Sequence, residues 1–249
     1  KRRLQFYEGE SAPHGHVDQP GVAQVVVVPD PAQQRGAVEG LAGAPTVADA
    51  LAGRMETLSL WPLSTAEIEE RPGGQFLEWL LVDSPDLPSA EPWSRAELVS
   101  RLISGGYPEA VERADDERRR RWFSSYLTTI LERDVRSLAD IERLEELPAM
   151  LAAVALRSRG SLNRMGLSQD LGIPNSTIER YLVLLDRVFL VRRLAAWHSR
   201  LHPRLVKAPK MLIADPGLLC YLLHADRDRL TEDPAMLGLA LEGYVGMEL

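Results

Sequence analysis

The stretch 161–197 constrains the fold of this chain more than any other. A short helical pattern stops at Gly172 and Pro174, and a second helical pattern begins at once. Asn175 or Ser176 can cap this second helix by accepting a backbone N–H that lacks an intrahelical partner. Its apolar residues recur at helical spacing and define a buried face: Ile178, Tyr181, Leu182, Leu185 and Val188. A helix, a tight turn, a second amphipathic helix and an extended segment predict a winged helix-turn-helix.

Charge singles out the same region. From Arg157 to Lys207 there are ten Lys or Arg residues and three acids, a balance of 10 − 3 = +7, whereas the whole chain carries −7. The remainder therefore carries −14, and a chain so polarised is suited to meet a polyanion, or an acidic protein surface, with one face. The alternative is a winged domain that serves packing only, with its arginines solvated or paired to acids, because this pattern indicates a fold and not base contacts.

A recognition helix over 176–188 would direct its first exposed side chains at the groove of duplex DNA, while arginines that follow would contact phosphates. The groove candidates are Asn175, Ser176, Thr177 and Arg180, and the phosphate candidates are Arg192, Arg193, Arg200 and Arg204. Glu179 argues against DNA, because a carboxylate in the first turn repels the phosphate backbone unless it reads a cytosine amino group.

The rest of the chain predicts a mainly α, multi-domain fragment. Predicted helices cover 94–104, 116–138, 144–156 and 217–223, with a strand at 56–60 and a hairpin pairing 189–195 with 210–214. Ser94 and Glu97 form a predicted capping box at the start of the helix 94–104. Gly105, Gly106 and Pro108 end this helix. No apolar run approaches the ~18 residues that span a bilayer, and no signal-type apolar core is found near Lys1, so we expect a cytoplasmic protein without a membrane partner.

Six strings occur in an order typical of one family: ADALAGRMETLSLWPLS, GGYPEA, YLTTILERDV, the 161–197 stretch, PKMLIADPGLLCYLL and LEGYVGMEL. Together they resemble the C-terminal part of a group of prokaryotic P-loop ATPases, in which an AAA-like core precedes a C-terminal domain of unknown function. The resemblance implies five segments: 1–44, a poorly legible segment that does not look like the family's sequence; 45–93, the end of an ATPase core; 94–156, a helical connector; 157–215, the winged helix-turn-helix; and 216–249, the start of a truncated domain similar to restriction-endonuclease-like nucleases.

The departures from that family bear on catalysis. No G-x-x-x-x-G-K-[ST] loop is present, so the backbone cradle and the lysine that hold nucleotide phosphates are missing. The strands that would carry the magnesium-binding acids of a nuclease are missing as well. By resemblance, Arg54 is the residue that would touch nucleotide in an intact relative; the alternative is an arginine that ties down a helix end.

The sequence therefore predicts no catalytic residue, no metal site and no cofactor for this chain, with ATP and magnesium implied only for an intact relative. We expect the non-catalytic, regulatory or binding part of an AAA-like ATPase, whose basic winged helix contacts DNA or a protein partner. Two alternatives stay open. One is an ATPase whose phosphate loop lies outside this chain, and the other is a transcription regulator that uses the helix-turn-helix alone.

Overall fold

Helices make up most of the computed structural model, which describes residues 24–27, 56–71, 92–136, 144–158, 160–195 and 209–248. The strands are β1 (Gln24–Val27), β2 (Glu56–Ser59), β3 (Val191–Leu194) and β4 (Lys210–Ile213). The helices are α1 (Thr65–Ile68), α2 (Arg95–Ser104), α3 (Pro108–Val111), α4 (Asp116–Thr129), α5 (Glu146–Leu156), α6 (Arg164–Leu171), α7 (Asn175–Arg187), α8 (Pro216–Leu222), α9 (Arg227–Glu232) and α10 (Pro234–Glu248). A π-helical segment, Ile130–Val135, continues α4. The prediction of a mainly α protein is confirmed.

Two antiparallel strand pairs accompany the helices. β1 pairs with β2, Gln24 opposite Ser59 and Val27 opposite Glu56. β3 pairs with β4, Val191 opposite Ile213 and Leu194 opposite Lys210. The second pair confirms the predicted hairpin partners.

Side-chain caps set where several helices begin. Ser94 caps α2 by accepting from the Glu97 backbone N–H, and the Glu97 carboxylate accepts from the Ser94 backbone N–H at 2.7 Å, so the predicted capping box is confirmed. Ser64 and Glu67 form the same box at α1. The predicted cap of α7 is wrong: the N-cap residue is Pro174, and no side chain caps the helix, because α7 already begins at Asn175.

One continuous hydrophobic core runs from Val99 on α2 to Tyr244 on α10. Its centre is α8, which packs against α2, α4, α5, α10 and β4. Residues 211–220 are all buried, because helices pack around this segment. The five predicted segment boundaries stay predictions, since the core gives no independent division of the chain.

Asp215 links the centre of this core to the turn between α2 and α3. Its fully buried carboxylate accepts from the backbone N–H of Gly106 at 2.6 Å and of Leu218 at 2.7 Å. Burial raises the pKa of Asp215 to about 6, although hydrogen bonds from the Gly106, Leu218 and Gly217 N–H groups oppose the rise. The carboxylate fits because Gly105, at φ +66°, has no Cβ; an added one would lie 2.4 Å from Oδ1.

Candidate nucleic-acid interface

α6 and α7 form two packed helices joined by a three-residue turn. Asn163 caps α6 by accepting from the Gly166 N–H at 3.0 Å. Gly172 ends α6 in the left-handed conformation, φ 66° and ψ 21°, as its predicted stop position requires. The Ser168 hydroxyl donates to the Ile173 carbonyl at 2.6 Å and closes the turn. The turn therefore holds the first residues of α7 in a defined position.

α7 has a buried face and a solvent face. The buried side chains are Ile178, Tyr181, Leu182, Leu184 and Leu185, and they include four of the five residues predicted for this face. The exposed side chains at positions 176, 179, 180, 183 and 187 follow the spacing of one helical stripe, and we call this set the outer face of α7. Ser176, Glu179, Arg180, Val183 and Arg187 compose it.

The strand pair lies beside this helix. α7 packs against β3, and Phe189 reverses the chain between them with a left-handed φ of 57°. The Ala214 N–H donates to the Leu190 carbonyl at 3.1 Å, and a bridge between Ser161 and Lys210 attaches the residues before α6 to β4. The two helices and the hairpin thus form one structural unit.

All three acids of the basic stretch are engaged by arginines. The pairs are Arg157 with Asp170, Arg164 with Glu179 at 2.8 Å, and Arg193 with Asp186 at 3.8 Å. Such exposed pairs contribute at most about 1 kcal/mol each to stability, but they offset the negative charge locally. The Glu179 carboxylate, which argued against DNA on sequence grounds, lies against the Arg164 guanidinium.

Within the described part of the basic stretch, three cations have no acidic partner among the described residues: Arg180, Arg187 and Arg192. Arg180 lies over the Tyr181 ring, with its Cζ 5.7 Å from the ring centroid. Arg187 is exposed in the last turn of α7, on the same stripe as Arg180. Arg192 is half-buried on β3, with its Cζ 5.3 Å from the centroid of the Trp61 ring.

The candidates predicted from sequence fall into three groups. Asn175, Ser176 and Arg180 are exposed at the start of α7, and Thr177 beside them is half-buried. Arg192 and Arg193 occupy adjacent positions of β3, half-buried and exposed respectively. Arg54, Arg200 and Arg204 lie outside the described residues. Sequence reasoning missed Arg187, although its spacing of seven from Arg180 places both on one helical stripe.

The described residues show neither a metal cluster nor a membrane span. Nowhere among them do three or more His, Cys, Asp or Glu side chains come together in a way that would hold a metal ion. None of the described helices has the length and apolar character needed to cross a bilayer.

The chain belongs to the family described as "Domain of unknown function (DUF8612)", whose model matches residues 95–229, more than half of the chain. Two uncharacterized mycobacterial proteins are similar to it: Mb2031c of Mycobacterium bovis and Rv2008c of Mycobacterium tuberculosis. Each is 29% identical over 143 residues, which are 57% of this chain and 32% of the relative. The matched region thus spans about a third of the relatives' length. No solved structure matches the chain.

Proposed function

We propose that this chain is the non-catalytic binding part of an AAA-like ATPase and that it contacts duplex DNA through α6, α7 and the β3–β4 hairpin. In this proposal α6 and α7 are the helix-turn-helix, α7 is the recognition helix and the hairpin is the wing. The observation that carries it is the charge on one surface. The three acids of the basic stretch are engaged by arginines, whereas Arg180 and Arg187 on the outer face of α7 are exposed and have no acidic partner among the described residues.

The exposed start of α7 supplies the chemistry for contacts with bases. Asn175 and Ser176 present amide and hydroxyl groups that can donate and accept at base edges, and Arg180 stands one turn further along the helix. The positive end of the helix dipole at the start of α7 adds a preference for phosphate oxygens. Arg187 and Arg193 are exposed on either side of the Phe189 turn, where they would serve phosphate contacts.

The test is duplex DNA binding by fluorescence anisotropy across a salt series, with the wild type compared with an Arg180→Ala/Arg187→Ala variant. Each lost phosphate contact flattens the log-log salt slope by about 0.9. Arg187 is the phosphate contact of this pair, so the double variant should bind more weakly with a slope shallower by about 0.9. The matched control is Arg118→Ala/Arg120→Ala, which removes two exposed arginines of α4 and the same net charge. We expect the control to bind as the wild type does.

Undetectable binding by the wild type at ~50 mM salt would refute the proposal. Equal weakening in both double variants would refute it too, because the effect would then follow net charge and not this surface.

A protein partner is the second candidate, and two exposed apolar side chains favour it. Met165 on α6 is 67% exposed and Val183, within the outer face of α7, is 37% exposed. An acidic protein surface would pair with the same arginines and cover these side chains. A Met165→Ser/Val183→Ser variant that binds DNA unchanged, yet no longer captures an acidic partner, would assign the apolar pair to that second role.

A further inference from the structure

Trp61 lies against Arg192. Among the described residues of the hairpin, Arg192 is the one cation that has no acidic partner. Its ring meets the Phe189 ring edge to face, with the centroids 5.4 Å apart and the planes at 79°. The Arg192 guanidinium lies over the same Trp61 ring, 5.3 Å from its centroid. Trp61 and Arg192 are 131 positions apart in sequence, so this contact depends on how the segment around Trp61 is held.

Residues 60–71, which we call the strap, are fixed to the body of the protein by three anchors. The Leu63 N–H donates to the Gly106 carbonyl at 2.7 Å. The Thr65 hydroxyl contacts the Tyr244 hydroxyl and donates to the Glu248 carboxylate at 2.9 Å, and the Thr65 backbone N–H donates to the same carboxylate.

The third anchor is an ion pair between Glu69 in the strap and Arg101 on α2, and the hydrogen bond from Arg101 lowers the pKa of Glu69. Three anchors on three different elements give the strap one position. That position places the Trp61 ring against the hairpin.

The contact with Trp61 holds the Arg192 guanidinium against the strap, where the side chain is half-buried. The ring leaves the N–H groups at the edge of the fork free, but bidentate binding of phosphate needs that edge to point at the anion. We expect Arg192 to turn away from the Trp61 ring when it reaches for the phosphate backbone. Release of an exposed cation–π contact changes an equilibrium by about two- to fivefold. Freed of the ring, Arg192 would add one phosphate contact to those of the outer face of α7.

We propose that Trp61 competes with the phosphate backbone for Arg192, so that the strap regulates the DNA-binding surface. The inference rests on the proposed function and adds its regulation. Because Trp61 lies between β2 and the anchor at Leu63, any change that moves this part of the strap withdraws Trp61 from the hairpin and exposes Arg192. By linkage, DNA that captures Arg192 loosens the strap by the same factor.

The test compares duplex DNA binding by the wild type, Trp61→Ala, Trp61→Ala/Arg192→Ala and the control Leu60→Ala. Leu60 is an exposed apolar side chain of the strap next to Trp61, so the control removes apolar surface from the same segment and leaves the Trp61 ring in place. We expect Trp61→Ala to bind DNA about two- to fivefold more tightly, with a salt slope steeper by about 0.9. Leu60→Ala should match the wild type, and the added Arg192→Ala should abolish the gain.

A second measurement follows the cation directly. Modification by an arginine-specific dicarbonyl reagent, read out by peptide mass spectrometry, should be faster at Arg192 in Trp61→Ala than in the wild type and equal at Arg180 in both. If Trp61→Ala fails to fold, Trp61→Leu removes the aromatic face while it retains apolar contact with Phe189.

Three outcomes would refute the proposed competition between Trp61 and phosphate for Arg192. Wild-type affinity in Trp61→Ala, a gain that persists after Arg192→Ala, or unchanged Arg192 modification would show that Trp61 does not hold this cation back from phosphate. These results leave the proposed function standing if the wild type binds DNA. The absence of binding in every variant refutes the proposed function and this regulation with it.

Discussion

Gly106→Ala should destabilise the protein far more than an ordinary Gly→Ala change. Gly106 does not adopt a positive φ, so the reason is space and not backbone conformation. An added Cβ would lie 2.1 Å from the Leu63 carbonyl oxygen and 3.0 Å from the Leu63 nitrogen. Contacts under 3.0 Å do not occur at real Cβ atoms, so the strap must move by at least 3.0 − 2.1 = 0.9 Å. That movement breaks the 2.7 Å hydrogen bond from the Leu63 N–H to the Gly106 carbonyl.

The magnitude follows from three contributions. The lost backbone hydrogen bond costs about 1 kcal/mol. Forcing a methyl group into a filled site costs about 1–3 kcal/mol. The lower entropy of the unfolded alanine chain returns about 0.4–1 kcal/mol. The free energy of unfolding should therefore fall by about 1–3.5 kcal/mol, and at a urea m-value of about 2 kcal/mol/M a loss of 2 kcal/mol lowers the midpoint by about 1 M.

Urea unfolding followed by circular dichroism measures this change, and Gly160→Ala is the matched control. A Cβ at Gly160 meets nothing within 4 Å, so the same substitution there should be neutral or stabilise by up to about 1 kcal/mol. Hydrogen exchange adds a local reading, since the Leu63 amide should lose protection in Gly106→Ala only. Equal midpoints for the two variants, with Leu63 still protected in both, would refute the reasoning.

Three further predictions concern buried groups and nucleotide binding. The pKa of Asp215 is about 6 in the folded protein and 3.8 ordinarily, so its contribution to stability is complete below pH 4 and is lost as pH rises through 6; wild type minus Asp215→Asn should fall by about 3 kcal/mol across that window in urea titrations, and parallel pH profiles would contradict this. Burial raises the pKa of the Cys220 thiol above its usual range, so a thiol reagent such as DTNB should react only after denaturant is added; rapid reaction of the native protein would show that the thiol is accessible. Because the chain contains no phosphate loop, we expect no magnesium-dependent ATP turnover by the purified protein, and low-micromolar binding of a labelled ATP analogue would count against this.

Local chemistry made several helix limits predictable. The Ser94–Glu97 capping box, the break at Gly105 to Pro108 and the stop at Gly172 all depend on residues within four positions of each other. Helical periodicity indicated less about the hydrogen-bonding pattern within a helix. The predicted helix 116–138 becomes π-helical at Ile130.

The contacts that organise the candidate site lie between residues far apart in sequence. The net charge of the 157–207 stretch follows from the sequence, but the pairing of Arg164 with Glu179 depends on how α6 packs on α7. The Trp61–Arg192 contact likewise depends on the strap and its anchors, which no local pattern indicates. The sequence indicates that Asp215 caps a helix, because an aspartate directly before Pro216 is typical of a helix start. It does not indicate that the same carboxylate also accepts from the Gly106 N–H.

The bond between Thr65 and Glu248 has a consequence for chain geometry. These residues are 183 positions apart, yet the Glu248 carboxylate accepts from both the backbone N–H and the hydroxyl of Thr65. The start of α1 and the last turn of α10 are therefore held against each other. Segments joined ahead of Thr65 and after Glu248 would start from neighbouring points, and with short linkers they would meet at effective concentrations on the order of millimolar. The Thr65–Glu248 bond would then keep such segments side by side.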